Sequence, residues 1–221
     1  IRVGPLETQV FLAHARGLIR PTQEDRHAVG SLTVSGQPIG YYGIFDGHGG
    51  ESAATFLENE LKGALEEGLD LLGEDLGLAT ENEIENILSV LPVRLQQKFF
   101  STQDVRDISG STFSFALVIP SKGEAGAVWA VNAGDSRILA LQSDCTNQLT
   151  EDASPTSERF SRGVERRGGF VKDARVGSVL AVARAAHLAK RPLLVPHANG
   201  NEAAKIPEAR IYAAGTLKQI C

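Results

Sequence analysis

Hydrophobic and polar residues change rhythm several times along this chain, and each change marks an element. β-formers bounded by glycine, proline and polar turns fill Gln9–Ala15, Ala28–Val34 and Gly40–Phe45, which predicts three strands. In Glu51–Leu65 the apolar residues Ala53, Ala54, Leu57, Leu61, Ala64 and Leu65 recur at helical spacing behind an acidic start. Gly68, Gly73 and Gly77 punctuate the next stretch, Glu66–Leu78. A second helical run covers Glu81–Phe100, with Ile84, Ile87, Leu88, Leu91, Leu95 and Phe99 on one side and Pro92 as an expected kink or break.

A period of two returns in Ser111–Ile119, where Phe113, Phe115, Leu117 and Ile119 alternate with smaller residues. Val128–Val131 and Arg137–Leu141 flank the turn-forming NAGDS, which predicts a hairpin-like connection. Thr156–Arg167 is a weaker helix ended by Gly168–Gly169, and Val179–Val182 a short strand. From Lys190 onward the pattern is loop-like, with one last strand at Arg210–Ala213. Strands, two long helices and strands again predict an α+β layer fold. No internal repeat divides the chain, so a single domain over residues 1–221 is expected.

Composition narrows the class. The 221 residues are 42% hydrophobic and 22% charged, enough for a substantial core in an ordinary globular domain. A net charge of −5 speaks against a nucleic-acid surface. No apolar run reaches the length of a membrane span and no signal peptide is visible, so a cytoplasmic or nuclear protein is the default expectation. Cys145 and Cys221 are far apart and make no metal-type spacing, which suits a reducing compartment. Methionine is absent altogether, even at position 1, which points to a trimmed chain or to further residues in the whole polypeptide.

The chemistry concentrates at YYGIFDGHGG, residues 41–50, where a strand runs into one carboxylate, one imidazole and three glycines. Asp46 sits at the strand end, and Gly47 would let the backbone pass close to an ion and offer its carbonyl. Such hard oxygens suit Mg²⁺ or Mn²⁺. Upstream, RPTQEDR holds Arg20, Glu24 and Asp25: two carboxylates for a hard cation and a guanidinium fork for phosphate. Downstream, NAGDSR places Asp135 at another strand end. Taken singly, the three are also what a tight turn, a solvated charged loop and a hairpin turn look like.

Their order says more. RPxxED, FDGHGG, GSTFSFALV, VNAGDSR and LTEDxxP…ERxxxxGGFV together resemble the metal-dependent protein serine/threonine phosphatases of the protein phosphatase 2C (PPM) family, from about Gln9 to Arg184. The resemblance implies a sandwich of two antiparallel β-sheets flanked by helices. It implies phosphoserine and phosphothreonine hydrolysis by water activated between two Mn²⁺ or Mg²⁺ ions, with phosphoproteins as substrates and neither nucleic acid nor membrane as partner. By motif position, Asp46 would bridge the ions, the Gly47 carbonyl and Glu24 would be ligands, and Asp25 would hold coordinated water. Arg20 would bind the substrate phosphate, His48 would be the general acid, and Asp135 would serve a third, weaker ion. Cys145, in QSDCTNQ, reads as a bystander. His14, His27, His187 and His197 have no comparable setting. A carboxylate-rich nuclease is the other enzyme class that these acids allow, and the acidic balance argues against it.

The pattern also departs from the family. Leu188, in LAVARAAHLAK, stands where the family has a metal aspartate, and the chain ends at Cys221 before the family's last one. Two expectations follow: an enzyme completed by further residues, or a pseudophosphatase that binds without turnover. The helical region Glu51–Phe100 and the tail Lys190–Asn201 offer surface either for partners or simply for solvent. Oligomeric state and substrate identity are not written in the pattern.

Overall fold

The computed structural model describes residues 10–16, 18–73, 79–102, 104, 107–119, 127–141, 145–166 and 168–176, together with the backbone of four short strands at 2–3, 6–7, 193–196 and 211–214. The chain falls into two compact units, Ile1–Thr102 with Ile108–Glu151, and Gln103–Asp107 with Asp152–Cys221.

In the first unit, β1 (Arg2–Val3) and β2 (Leu6–Glu7) form a short antiparallel pair. The main sheet is built from β3 (Arg26–Val34), β4 (Gln37–Phe45), β7 (Phe113–Ile119) and β8 (Ala127–Ala133), antiparallel throughout and in the order β3-β4-β7-β8. Between β4 and β7 in sequence come β5 (Gly47–His48), helices α1 (Ser52–Leu69) and α2 (Glu81–Thr102), and β6 (Gly110–Ser111), which pairs with β5. β9 (Leu139–Leu141) pairs with β10 (Thr146–Gln148).

The period of two produces the sheet's buried face. Registers Leu32↔Ile39, Gly43↔Phe115 and Tyr41↔Leu117 put Leu32, Ile39, Tyr41, Phe115 and Leu117 on one side. That side meets Leu61, Leu65 and Leu69 of α1 and Leu88, Leu91 and Leu95 of α2 in one core. Phe115 is fully buried and stands edge-on to Phe113, ring centres 5.2 Å apart, and Phe113 stacks on Phe45. Each such side chain contributes about 1.5–3 kcal/mol of transfer free energy. Ser35 and Gly36, both at positive φ, make the two-residue turn between β3 and β4, the turn that matches strand twist.

Both long helices are as expected in kind and longer than expected. α1 continues past Leu65 to Leu69 because Leu65 and Leu69 complete its buried stripe. α2 runs through Pro92 without interruption, its interior held by Ile84, Leu88, Leu91, Leu95 and Phe99. Its start is a capping box: Glu83 Oε2 accepts from the Thr80 N–H, while the Glu83 N–H donates to Thr80 Oγ1. Those bonds to the charged form hold the Glu83 carboxyl below its usual range.

Three expectations are corrected. Residues 10–16 form no strand; Phe11 and Leu12 are exposed, and among the described residues no strand pairs with this segment to supply a ladder. The strands flanking NAGDS are not a hairpin: β8 pairs with β7, and β9 pairs with β10 instead. The region from Lys190 holds one strand more than expected: β13 (Leu193–Pro196) pairs in parallel with β14 (Ile211–Ala214), the strand expected at Arg210–Ala213, in the second unit. That unit also holds α3 (Glu158–Glu165), shorter than expected, and β11 (Val171–Lys172) paired with β12 (Arg175–Val176). Val164 and Val176 are buried there beside Phe160 and Val171. The strand expected at Val179–Val182 lies outside the described residues. Among those described, no helix is long and apolar enough to cross a membrane. Antiparallel sheets with packed helices make this an α+β fold.

Candidate metal and phosphate site

Strand order alone gathers the motifs. In an antiparallel sheet the end of one strand lies beside the start of the next. Arg26 at the start of β3 is paired with Phe45 at the end of β4, and Phe113 at the start of β7 with Ala133 at the end of β8. Loops 20–25, 46–50, 109–112 and 134–136 therefore emerge at the same end of one sheet. RPTQED, DGHGG, GST and GDS, separated by as many as 116 residues in sequence, become neighbours.

Two of these loops touch backbone to backbone. A Cβ placed on Gly47 would lie 2.2 Å from the Glu24 carbonyl oxygen, so only glycine fits where DGHGG crosses RPTQED. Across the same junction the Gly50 N–H donates to Glu24 Oε1 at 2.9 Å, leaving the second carboxylate oxygen of Glu24 outside that bond. Arg26 reinforces it. Its Nη1 donates to the carbonyls of Gln23 (2.8 Å) and Asp25 (2.9 Å), and its Nη2 to Glu51 Oε2 at 2.6 Å. On the far side of DGHGG the His48 ring lies against Gly110, where a Cβ would come within 2.4 Å of it.

Asp46 is the electrostatic centre of the four loops. Partial burial, then the negative charges of Asp25 and Asp135, push its carboxyl above the ordinary aspartate range; His48 and Arg20 act in the opposite direction. Asp25, Asp135, His48 and Arg20 thus all lie within electrostatic reach of one carboxylate. They do not form a ready-made cage: among the described residues no three His, Cys, Asp or Glu side chains stand together as a metal-holding group. The donor chemistry nevertheless suits a hard divalent cation. Mg²⁺ keeps several waters and takes only one or two carboxylates, with backbone carbonyls as further oxygens. Mutually repelling carboxylates beside a crossing that only glycine allows offer that combination. Gln23 Nε2, buried without a partner in the same loop, is a donor and therefore fits an anion or water rather than a cation.

The residues that hold these loops carry no distinctive chemistry in the sequence. Thr112, 3% exposed, receives the Asp46 N–H on Oγ1 at 3.0 Å and shares a 2.7 Å hydrogen bond with Ser136 Oγ, while its own N–H donates to the Asp46 carbonyl. One threonine thus ties Asp46 to the loop that carries Asp135. Ser109 Oγ accepts the Ala53 N–H, satisfying an otherwise orphan donor in the first turn of α1. The signal for Thr112 was present in GSTFSF, but only the cross-sheet register turns it into a contact. His187, Leu188, His197 and Cys221 lie outside the described residues. Cys145 is exposed and its Sγ accepts a hydrogen bond from Asn147.

The chain is similar to known proteins over most of its length. The family model described as Protein phosphatase 2C matches residues 11–186. A probable protein phosphatase 2C 55 from Oryza sativa subsp. japonica is 34% identical over 169 residues, 75% of this chain and 42% of that protein. A probable protein phosphatase 2C 76 from Arabidopsis thaliana is 30% identical, covering 75% of this chain and 37% of its own length. The chain thus spans less than half the length of these curated relatives. Among solved structures, a C. elegans sex determining protein superposes with a TM-score of 0.54 at 24% identity, over 74% of this chain and 40% of that one. A Toxoplasma gondii phosphatase gives 0.52 at 21% identity, over 74% and 59%. At these identities the superpositions speak for the fold.

Proposed function

We propose that this chain, which belongs to the protein phosphatase 2C family, carries the metal- and phosphate-binding loops of a protein serine/threonine phosphatase. The observation that supports this most directly is the junction at Gly47, which sets the Glu24 loop against the Asp46 loop while Asp25 and Asp135 load Asp46 with negative charge. The family match crosses from the first compact unit into the second, which favours reading both as parts of one phosphatase domain.

In this reading Asp46, Glu24, the Gly47 carbonyl, Asp25 and Asp135 hold Mn²⁺ or Mg²⁺, two ions with a third more weakly held. When bound, the ions supply an activated water at neutral pH and offset charge on the phosphoryl oxygens. The chain's own residues do the rest. Arg20, exposed at the rim, receives the substrate phosphate, which its planar fork can meet bidentately. His48, steadied against Gly110, protonates the departing serine or threonine oxygen, a role that an imidazole can fill as general acid. The substrate is a phosphoserine or phosphothreonine side chain of a protein. A second reading rests on Leu188, which stands at a family aspartate position: a pseudophosphatase with these loops intact but no turnover.

The deciding assay offers the purified protein, with saturating Mn²⁺, an aryl phosphate, a phosphothreonine peptide and DNA. We expect hydrolysis of the first two only, falling at least about 100-fold in Asp46→Asn. Turnover no greater than that of Asp46→Asn leaves the pseudophosphatase reading, and cleavage of DNA overturns the substrate class.

A further inference from the structure

We propose that Arg26 is a positioning residue for the cation site, a guanidinium clamp that sets the geometry of Glu24 without touching metal or substrate. This inference rests on the reading above. Arg26 begins β3, immediately after the acidic pair. Its Nη1 is bonded to the carbonyls of Gln23 and Asp25, so the backbone on both sides of Glu24 is anchored to one nitrogen. Its Nη2 reaches Glu51 at 2.6 Å, and its Nε lies 3.9 Å from Glu58, two turns further along α1. Glu51 adjoins Gly50, whose N–H holds Glu24 Oε1.

The result is a closed ring of contacts: Glu24 to Gly50, through the chain to Glu51, across to Arg26, and back to Gln23 and Asp25. Ligand groups in such a ring cannot drift apart by rotating one loop alone. The Arg26 side chain is only 22% exposed, and its bonds to the Gln23 and Asp25 carbonyls are partly shielded from competing water, while the bond to Glu51 is exposed. Lysine cannot replace it, because one ammonium on a flexible stem lacks the fork that spans two carbonyls and a carboxylate at once.

The effect should appear in cation binding, since partners that orient metal ligands typically change affinity 10–100-fold. The test is the Mn²⁺ dissociation constant, read by electron paramagnetic resonance of free Mn²⁺ in the full chain, beside far-UV circular dichroism. Arg26→Ala is expected to bind Mn²⁺ about 10–100-fold more weakly with unchanged secondary structure. Arg26→Lys keeps most of that loss. With excess Mn²⁺ the kcat for an aryl phosphate returns towards the wild-type value, because the lesion lies in affinity. If Arg26→Ala does not fold, Glu51→Gln, altering an exposed carboxylate, carries the test with a loss of at least about threefold. Wild-type affinity in Arg26→Ala, or in Glu51→Gln where that variant decides, overturns the clamp, and full recovery by lysine overturns the fork. A wild-type chain that binds no Mn²⁺ overturns the proposed function itself, a result plainly different from equal binding by wild type and variant.

Discussion

Asp46 shows how little a residue's identity says about its placement. Its carboxyl feels Asp25 and Asp135, yet its backbone is held at both N–H and carbonyl by Thr112, 66 positions away. Thr112→Val keeps the shape and removes the hydroxyl, leaving the Asp46 N–H without that acceptor in a part-buried setting. A stability loss of about 1–3 kcal/mol is expected from urea unfolding. A fall in kcat for an aryl phosphate should accompany it, because the Asp46 and Asp135 loops lose their tie. Unchanged stability and unchanged kcat together would show the tie to be idle. The carboxylates and His48 were legible in the sequence because their types and order are distinctive. Thr112, Ser136 and Arg26 were not, since a hydroxyl or a guanidinium is common and only a through-space partner gives it a role.

Elements were read more reliably than their ends. β3, β4, β7 and both long helices follow from periodicity because each buries one continuous face. The segment 9–15 has the composition of a strand but lacks a neighbour among the described residues, and a strand without a ladder is not an element. NAGDS has turn chemistry, yet β8 leaves the sheet there and β9 finds β10, so local turn signals misjudged the pairing. Glycine in α1 shows a similar conflict. A Cβ on Gly68 would stand 2.9 Å from Ile87 Cγ2 of α2, so the residue that weakens α1 locally lets the two helices close. Helix propensity favours Gly68→Ala by about 1 kcal/mol. The interhelix clash opposes it, with overpacking typically costing about 1–3 kcal/mol. We expect net destabilisation in thermal unfolding, relieved when Ile87→Ala is added; a stabilised single variant would show that the helices give way freely.

For the whole molecule, cation binding and folding should be linked. The proposed cation site, assembled from loops 20–25, 46–50 and 134–136, would exist only in the folded chain, so free Mn²⁺ at 100 times its Kd should add about 2.7 kcal/mol. That corresponds to a Tm rise of about 5–10 °C, reversed by chelator and absent in Asp46→Asn. An equal rise in wild type and variant would mean binding elsewhere. The sequence by itself determined the α+β class, the long helices, the core stripe and the identities of the charged groups, because periodicity and residue type are local properties that a linear pattern carries. The tertiary structure decided which of those groups meet. Antiparallel register brings four distant loops to one end of a sheet, and Gly47, Thr112 and Arg26 bind those loops through contacts that no linear spacing encodes.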